Sequence, residues 1–163
     1  METFHLALMM SILCCSLVAG LLFGFAIVVM PGIAQLDDKA YLLAFKHMDE
    51  IIQNNHPLFV LVWAGSVLAV MATLMLGVMD FTGTQRSLLL FASGLYLVGV
   101  QGPTFRFNIP LNNALQRLEI ASLDETESAN ARAEFEVPWN RWNHFRTFNA
   151  VVSVSAFLLL LLQ

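Results

Sequence analysis

The polar side chains of this chain that could carry out catalysis are concentrated in two stretches, residues 106–113 and 139–146. Asn108 and Asn112 are four residues apart, as are Trp142 and Arg146, so each pair would share one face of a helix. His144 lies two residues before Arg146, and a neutral imidazole is suited to act as a base near physiological pH. The spacing therefore permits a site that combines a base, a cation and amide groups.

An ordinary structural role is the alternative interpretation of the same residues. Trp139 and Trp142 could belong to the aromatic belt at a membrane interface, and Arg106 could extend towards lipid headgroups. Asn108, two residues before Pro110, could be a helix cap. The density of Asn, Arg and His side chains in these two stretches nevertheless favours a site.

Metal or cofactor binding has no clear sequence signal. Four residues of ligand type could meet in space, although their spacing matches no recognised metal site: His47, Asp49, His56 and His144. Cys14 and Cys15 are neighbours in sequence and cannot form a spaced zinc site or a long-range disulfide framework. We therefore predict no cofactor, while haem or a metal stays open as an alternative.

The composition is that of a membrane protein. Hydrophobic residues make up 58% of the chain and charged residues 12%, whereas soluble domains have about 45–50% and about 25%. The net charge of −4 and the lack of a Lys/Arg cluster leave no basic face for a nucleic acid. We predict that the protein interacts with the lipid bilayer and does not bind nucleic acid.

The hydropathy pattern predicts an all-α membrane protein, a bundle of four transmembrane helices in a single domain of residues 1–163. Four apolar stretches are long enough to cross a bilayer: residues 6–30, 58–79, 87–105 and 140–162. Two polar segments, residues 31–57 and 106–139, separate them and should be helical. The last stretch is strictly apolar only over residues 147–162, so its helix must also use residues 139–146, with Pro138 in its first turn.

Four spans place both polar segments on one face of the membrane, where they can meet over the bundle. Seven of the eight basic residues lie on that face: Lys39, Lys46, Arg106, Arg117, Arg132, Arg141 and Arg146. The positive-inside rule favours a cytoplasmic location for it. Gly20 and Gly24 form a small-xxx-small pair that predicts close helix packing and hints at a homo-oligomer.

Three sequence blocks together carry a resemblance to a known family. They are Val29-Met30-Pro31 at the end of the first span, residues 108–115 (NIPLNNAL) after the third, and residues 139–147 (WNRWNHFRT) at the start of the fourth. In these blocks the chain resembles the anthrone-oxygenase-like family of small integral membrane proteins, and the resemblance covers nearly the whole chain.

The resemblance implies a four-span bundle that oxidises an anthrone, or another polycyclic phenolic substrate, with molecular oxygen and without an evident cofactor. The partners would be a hydrophobic aromatic molecule and O2, and we expect the protein in a bacterial inner membrane. His144 would be the base. The remaining candidates are Arg146 and Asn112 as catalytic residues, and Asn108, Asn143, Trp142, Trp139 and Arg106 as substrate-binding residues.

Two other functions fit the sequence. A haem- or metal-binding redox protein of the membrane would use histidines buried in a four-helix bundle, which is a common home for such cofactors. A non-enzymatic interaction protein would use the glycines and asparagines only to hold helices together.

Overall fold

Five long helices make up most of the protein in a computed structural model that describes residues 2–163. They are α1 (Glu2–Ile33), α2 (Asp38–Gln53), α3 (Pro57–Gly77), α4 (Gly83–Gln116) and α5 (Glu125–Leu161). All except α2 are long and apolar enough to cross a membrane. The predicted all-α membrane bundle with four spans is confirmed.

The four long helices form a bundle in which α1 packs along α3 and α5, and α4 packs along α5. Their shared interior is filled by apolar side chains such as Leu8, Val18, Leu89 and Phe157. Many large apolar side chains point outwards instead, especially along α3. In a bilayer these side chains contact lipid, where the hydrophobic effect does not penalise their exposure.

The first polar segment contains the predicted amphipathic helix, α2. Asp37 caps its first turn by accepting a hydrogen bond from the Ala40 amide at 2.8 Å. One face of α2 is buried and packs against α5. The helix ends at a turn in which Asn55 adopts a positive φ of 56°, and Pro57 then occupies the first turn of α3.

In the second polar segment, the helices begin and end at other residues than predicted. α4 does not end near residue 105 but continues to Gln116, and α5 begins at Glu125 rather than near residue 138. Pro103, Pro110 and Pro138 lie inside these helices. α4 accommodates Pro103 and Pro110 through π-helical turns at Leu95–Gln101 and Thr104–Asn108. These turns change the hydrogen-bond register of the helix near each proline, which has no N–H to donate.

A capping box sets the start of α5. The Asp124 carboxylate accepts a hydrogen bond from the Glu127 amide at 2.8 Å, and the Asp124 amide donates one to the Glu127 carboxylate at 2.9 Å. This cap, not Pro138, defines where the last helix begins.

The two polar segments meet, and we call their assembly the polar cap (residues 34–56 and 109–139). Lys39 Nζ donates hydrogen bonds to the carbonyls of Ala121 at 3.0 Å and Leu123 at 2.9 Å, and Lys46 Nζ donates one to the Leu118 carbonyl at 2.8 Å. Lysines of α2 thus satisfy carbonyls of the link between α4 and α5.

An arginine ties the same cap to the end of α1. Arg132 donates to the carbonyls of Ala34 and Leu36 and forms ion pairs with Asp38 at 3.0 Å and Glu136 at 2.7 Å. Its guanidinium lies 4.3 Å from the ring centre of Tyr41. Burial raises the pKa of that tyrosine, so the phenol is held neutral within the cap.

Close helix packing occurs at other glycines than those predicted. A Cβ added at Gly20 or Gly24 would meet no atom within 4 Å. One added at Gly77 would lie 2.6 Å from a Phe4 ring carbon, and one added at Gly99 would lie 2.7 Å from Asn149 Oδ1. Small residues therefore do allow close contacts in this bundle, but on α3 and α4 rather than on α1.

Candidate functional site

A cavity of about 230 Å³ lies between the bundle and α2. Apolar and aromatic side chains form most of its wall, including Leu22, Phe25, Phe45, Trp63 and Trp139. Its polar lining residues come from α2, α4 and α5: Asp49, Thr104, Asn108, Asn112, Asn143 and Arg146. An apolar cavity with a few convergent polar groups is the usual form of a small-molecule site.

Arg146 is a buried cation without an acidic partner. Its side chain is 5% exposed; Nη1 donates to Thr104 Oγ1 at 3.0 Å and Nη2 donates to Asn143 Oδ1 at 2.9 Å. Nε is buried without a hydrogen-bond acceptor, and no ion pair joins Arg146 to a carboxylate within residues 2–163. A buried charge is costly unless it is paired, so this guanidinium is suited to receive an anion.

Asp49 is the complementary buried anion on α2, and it is 3% exposed. Three amide groups donate to its carboxylate: Asn112 Nδ2 at 2.7 Å, Gln116 Nε2 at 2.9 Å and Gln53 Nε2 at 3.2 Å. No cationic side chain forms an ion pair with it in the described chain. These amides fix the orientation of the carboxylate without neutralising its charge.

Asn112 links this carboxylate to the aromatic wall. Its Oδ1 accepts a hydrogen bond from Trp139 Nε1 at 2.8 Å, while its Nδ2 donates to Asp49 Oδ1. One side chain therefore orients both the indole and the acid. Nearby, Asn108 donates from Nδ2 to the Trp139 carbonyl at 3.3 Å, and its buried Oδ1 has no donor. This Oδ1 is an acceptor still available to a ligand.

Two π-helical turns border the cavity. The turn Phe25–Val29 of α1 carries Phe25, whose ring lies 5.7 Å from that of Trp139. The turn Thr104–Asn108 of α4 carries the hydroxyl that contacts Arg146. Single π-turns within α-helices are frequent at functional sites, since the extra residue in the turn redirects side chains.

Five of the eight residues predicted for the site line the cavity: Arg146, Asn112, Asn108, Asn143 and Trp139. Trp139, Asn143 and Arg146 are spaced i, i+4 and i+7, so they share one face of α5. The predicted convergence of the two stretches on one site thus agrees with the geometry for these residues.

The other three predicted residues, His144, Trp142 and Arg106, lie outside the cavity lining. His144 is exposed, and its Nδ1 lies 2.6 Å from the Asn140 carbonyl. Trp142 stacks on Phe107 with ring centres 3.7 Å apart, and the exposed Arg106 lies over the same Phe107 ring. Position 144 points away from the face of α5 that bears Arg146, because two helix residues correspond to a rotation of about 200°. Trp142 lies at the flank of that face, four residues before Arg146, and its ring packs on Phe107 instead of lining the cavity.

Sequence reasoning named Asp49 as a possible metal ligand but not as a catalytic or substrate-binding residue, and it missed Gln116 and Thr104. Asp49 had a detectable signal, because it follows Leu42 and Phe45 at helical spacing on the buried face of α2. An acidic residue on an apolar face is rarely buried without a purpose. Gln116 carried no comparable signal, since its role depends on the unexpected length of α4.

The histidines do not supply the interior ligands that a haem protein would need. His5, His47, His56 and His144 are all exposed. Within residues 2–163, no group of three or more His, Cys, Asp or Glu side chains is arranged to hold a metal ion. The haem or metal alternative was based on buried histidines, and the structure places all four histidines at exposed positions.

Comparison with known proteins supports one family. The family described as "Anthrone oxygenase" matches residues 45–158, a range that contains Asp49, Asn112 and Arg146. Searches of curated proteins and of solved structures found no match. The family match supports an oxygenase-like function at the level of the family. A match across more than half of the chain, over a four-span bundle with this cavity, shows that the protein belongs to the anthrone oxygenase family.

Proposed function

We propose that the cavity oxidises a planar polycyclic phenol of the anthrone type with O2, with Asp49 as the base and Arg146 as the cation that stabilises the anionic intermediate. The observation that carries this proposal is the pair of buried, oppositely charged side chains that line one aromatic cavity without being paired to each other or to another ion. Such an arrangement leaves both charges available to the substrate.

The reaction begins with the CH₂ group of the anthrone, which lies between two aromatic rings and opposite the ketone. Asp49 takes one proton, and the electron pair of the C–H bond moves into the ring system to form an anthrolate. Its negative charge rests largely on the former ketone oxygen. An oriented general base contributes about 10²–10⁴-fold to such a step.

Arg146 would bind the anthrolate oxygen. Its buried Nε has a free N–H, and Thr104 and Asn143 hold the guanidinium in place. Donors arranged in advance around a developing oxyanion in a site with little water are worth several kcal/mol to a reaction, roughly 2.7–4 kcal/mol for one donor in a hydrolase. Trp139 is also 5.8 Å from the guanidinium carbon, so its ring could lie beside a bound aromatic plane.

The electron-rich CH carbon of the anthrolate then reduces O2 and forms a C–O bond. The peroxide so formed takes the proton that Asp49 holds, giving a hydroperoxide. Loss of water, made from the remaining C–H proton and the outer OH, breaks the O–O bond and leaves a second carbonyl. One anthrone and one O2 thus give one anthraquinone and one water, and Asp49 returns to its starting state.

The shape of the cavity supports a flat aromatic ligand. An apolar cavity of roughly 150 Å³ holds one benzene molecule, so the larger volume of this cavity suits fused rings that project in part through its opening. Phe45, Phe25 and Trp139 form an aromatic wall, with ring centres 5.1 Å apart for Phe45 and Trp139. Asn108 Oδ1 would accept a hydrogen bond from a phenol hydroxyl on the ligand.

Isotope labelling tests the proposal directly. The purified protein in lipid vesicles, supplied with an anthrone and ¹⁸O₂, should form anthraquinone faster than protein-free vesicles, with one O2 consumed per anthrone. Mass spectrometry should find one ¹⁸O in the quinone, at the former CH₂ carbon. A rate equal to that of protein-free vesicles would overturn the proposal, as would a quinone whose new oxygen came from water.

A further inference from the structure

A second, apolar concavity of about 360 Å³ joins the cavity on the side of α1 and α3. We call it the lateral groove. It shares four lining residues with the cavity: Leu21, Phe25, Ile52 and Phe59. Because the same side chains line both spaces, these residues stand between the groove and the site. The groove is therefore next to the site, and shared side chains form the wall between them.

The outer part of the lateral groove is formed by Val29, Met48 and Ile51, with His56 at its rim. The surrounding surface is strongly apolar: Val28 is 65% exposed on α1 and Leu58 is 66% exposed on α3. Both helices are candidate membrane spans. In a bilayer this surface faces lipid, so the groove opens towards lipid rather than towards water.

On the side formed by α2 and α4, hydrogen bonds join α2 to α4 and to the link that follows α4. Gln53 Nε2 donates to Asn113 Oδ1 at 3.0 Å, Gln116 Nε2 donates to the Lys46 carbonyl at 3.0 Å, and Lys46 Nζ donates to the Leu118 carbonyl at 2.8 Å. Opening this side to water would break several of these bonds at once. Opening the lateral groove requires only rotation of apolar side chains, which occurs in picoseconds to nanoseconds at exposed positions.

We infer that the substrate reaches the cavity through the lateral groove, from solution in the lipid, and that Ile52 and Phe59 form the gate. This inference rests on the proposed function and adds to it the source of the substrate and the side chains that select it. The occupant of the groove is a flat, lipid-soluble polycyclic phenol. Its apolar rings pass between Ile52 and Phe59 while its oxygen atoms lead towards Arg146.

A substrate that cannot leave the membrane provides the test. An anthrone carrying a long saturated alkyl chain stays in the vesicle that contains it, because each buried CH₂ adds about 0.8 kcal/mol of membrane affinity. We expect turnover when enzyme and tethered anthrone share the same vesicles and none when they are in separate vesicles. If the enzyme oxidises free anthrone but not the tethered form in shared vesicles, the route through lipid is wrong while the proposed function stands. If neither substrate is oxidised, the proposed function itself fails.

The route is tested by Ile51→Trp, which adds bulk to the lateral groove at an exposed residue that does not line the cavity. Leu58→Trp is the matched control, since Leu58 is exposed beside Phe59 but lines neither space. Ile51→Trp should lower kcat/KM for the tethered anthrone about tenfold, within the range over which association rates vary among variants, and Leu58→Trp should leave it unchanged.

A single-turnover measurement separates passage through the groove from chemistry. Enzyme loaded with substrate in the absence of oxygen and then mixed with O2 should react at the wild-type rate in Ile51→Trp, because the substrate is already inside. If this rate falls along with kcat/KM, the substitution disturbs the reacting site and the inferred route loses its support. If neither quantity falls, the lateral groove plays no part in access. Ile51→Phe provides a milder narrowing should the Trp variant fail to fold.

Discussion

The bundle contains two regions of buried polar groups, and they are built differently. In the half away from the polar cap the groups are neutral: Ser11 and Thr73 hydroxyls lie 2.9 Å apart, and Tyr96 donates to Ser66 at 2.6 Å. In the cavity beneath the polar cap, by contrast, the buried groups include the charges of Asp49 and Arg146, and neither forms an ion pair with another residue in the range 2–163.

The contrast distinguishes groups that hold helices together from groups to which we assign a role in ligand binding and catalysis. A hydroxyl pair between two membrane helices contributes about 0.6 kcal/mol on average, and both of its members are satisfied. A buried ion without a counterion destabilises the fold, so it persists where function requires it. The neutral region should therefore respond to substitution by a loss of stability, and the charged region by a loss of activity.

The largest effect is expected for Asp49→Asn, which removes the proposed base while keeping the shape of the side chain. Turnover of an anthrone should fall about 10²–10⁴-fold, the usual contribution of a general base. Oxygen uptake by the variant in vesicles measures the loss. Glu50→Gln is the control, because it removes the neighbouring exposed carboxylate of the same helix and should leave the rate unchanged. Equal losses in both variants would point to the charge of α2 as a whole instead of to one base.

His144→Ala tests the other candidate base, since the sequence suggested His144 for this role. The exposed ring lies outside the cavity lining, so we expect a rate close to that of the wild type. The pH profile of kcat/KM should also be unchanged. A large drop for this variant, together with an active Asp49→Asn, would reverse the assignment of the base.

Arg146→Met should reduce turnover about 10²–10³-fold, by analogy with the loss of one oxyanion donor. The thermal unfolding temperature should change little, because removing an unpaired buried charge offsets the lost hydrogen bonds to Thr104 and Asn143. Arg141→Met, at an exposed position of the same helix, is the control for both measurements. Failure of Arg146→Met to fold would assign this arginine to the structure of the bundle.

Gly77→Ala addresses the stability of the neutral half. The new methyl group would lie 2.6 Å from a ring carbon of Phe4 and 2.8 Å from a Leu89 methyl, and such overpacking costs about 1–3 kcal/mol. Thermal unfolding in detergent should occur at a lower temperature, while the rate per folded molecule is retained. Gly20→Ala is the matched control and should have no such effect, since nothing lies within 4 Å of the added atom.

A smaller loss of stability is expected for Tyr96→Phe. The substitution removes one hydrogen bond to Ser66, whose hydroxyl still donates to the Trp63 carbonyl at 2.6 Å. The free energy of unfolding should fall by about 1 kcal/mol, and turnover should stay at the wild-type value. A loss of turnover at unchanged stability would extend the functional region into the half that we regard as structural.

Much of the fold could be predicted because the signals are local. Long apolar stretches identify the spans, and apolar residues that recur near helical spacing among charged ones indicate that α2 is amphipathic. The helix bounds were harder to predict. Pro110 and Pro138 suggested helix boundaries, but α4 continues through Pro110 after a π-turn and α5 continues through Pro138.

The site likewise combines features that local sequence patterns predict with features that depend on tertiary contacts. The shared helix face of Trp139, Asn143 and Arg146 could be predicted from their i, i+4, i+7 spacing. His144 was favoured for its chemistry alone, and the rotation of α5 directs it outwards. Asp49 could only be joined to Asn112 and Gln116 by the packing of α2 against the extended end of α4.

The sequence by itself determined that this protein is a four-span helical membrane bundle of the anthrone oxygenase family, because hydropathy, helical periodicity and residue blocks are properties of neighbours along the chain. Only the tertiary structure decided that Asp49 and Arg146 line one cavity and that His144 lies outside its lining. Those facts depend on the rotation of each helix about its axis and on contacts between residues more than 60 positions apart, such as Asp49 with Asn112, for which no local pattern exists.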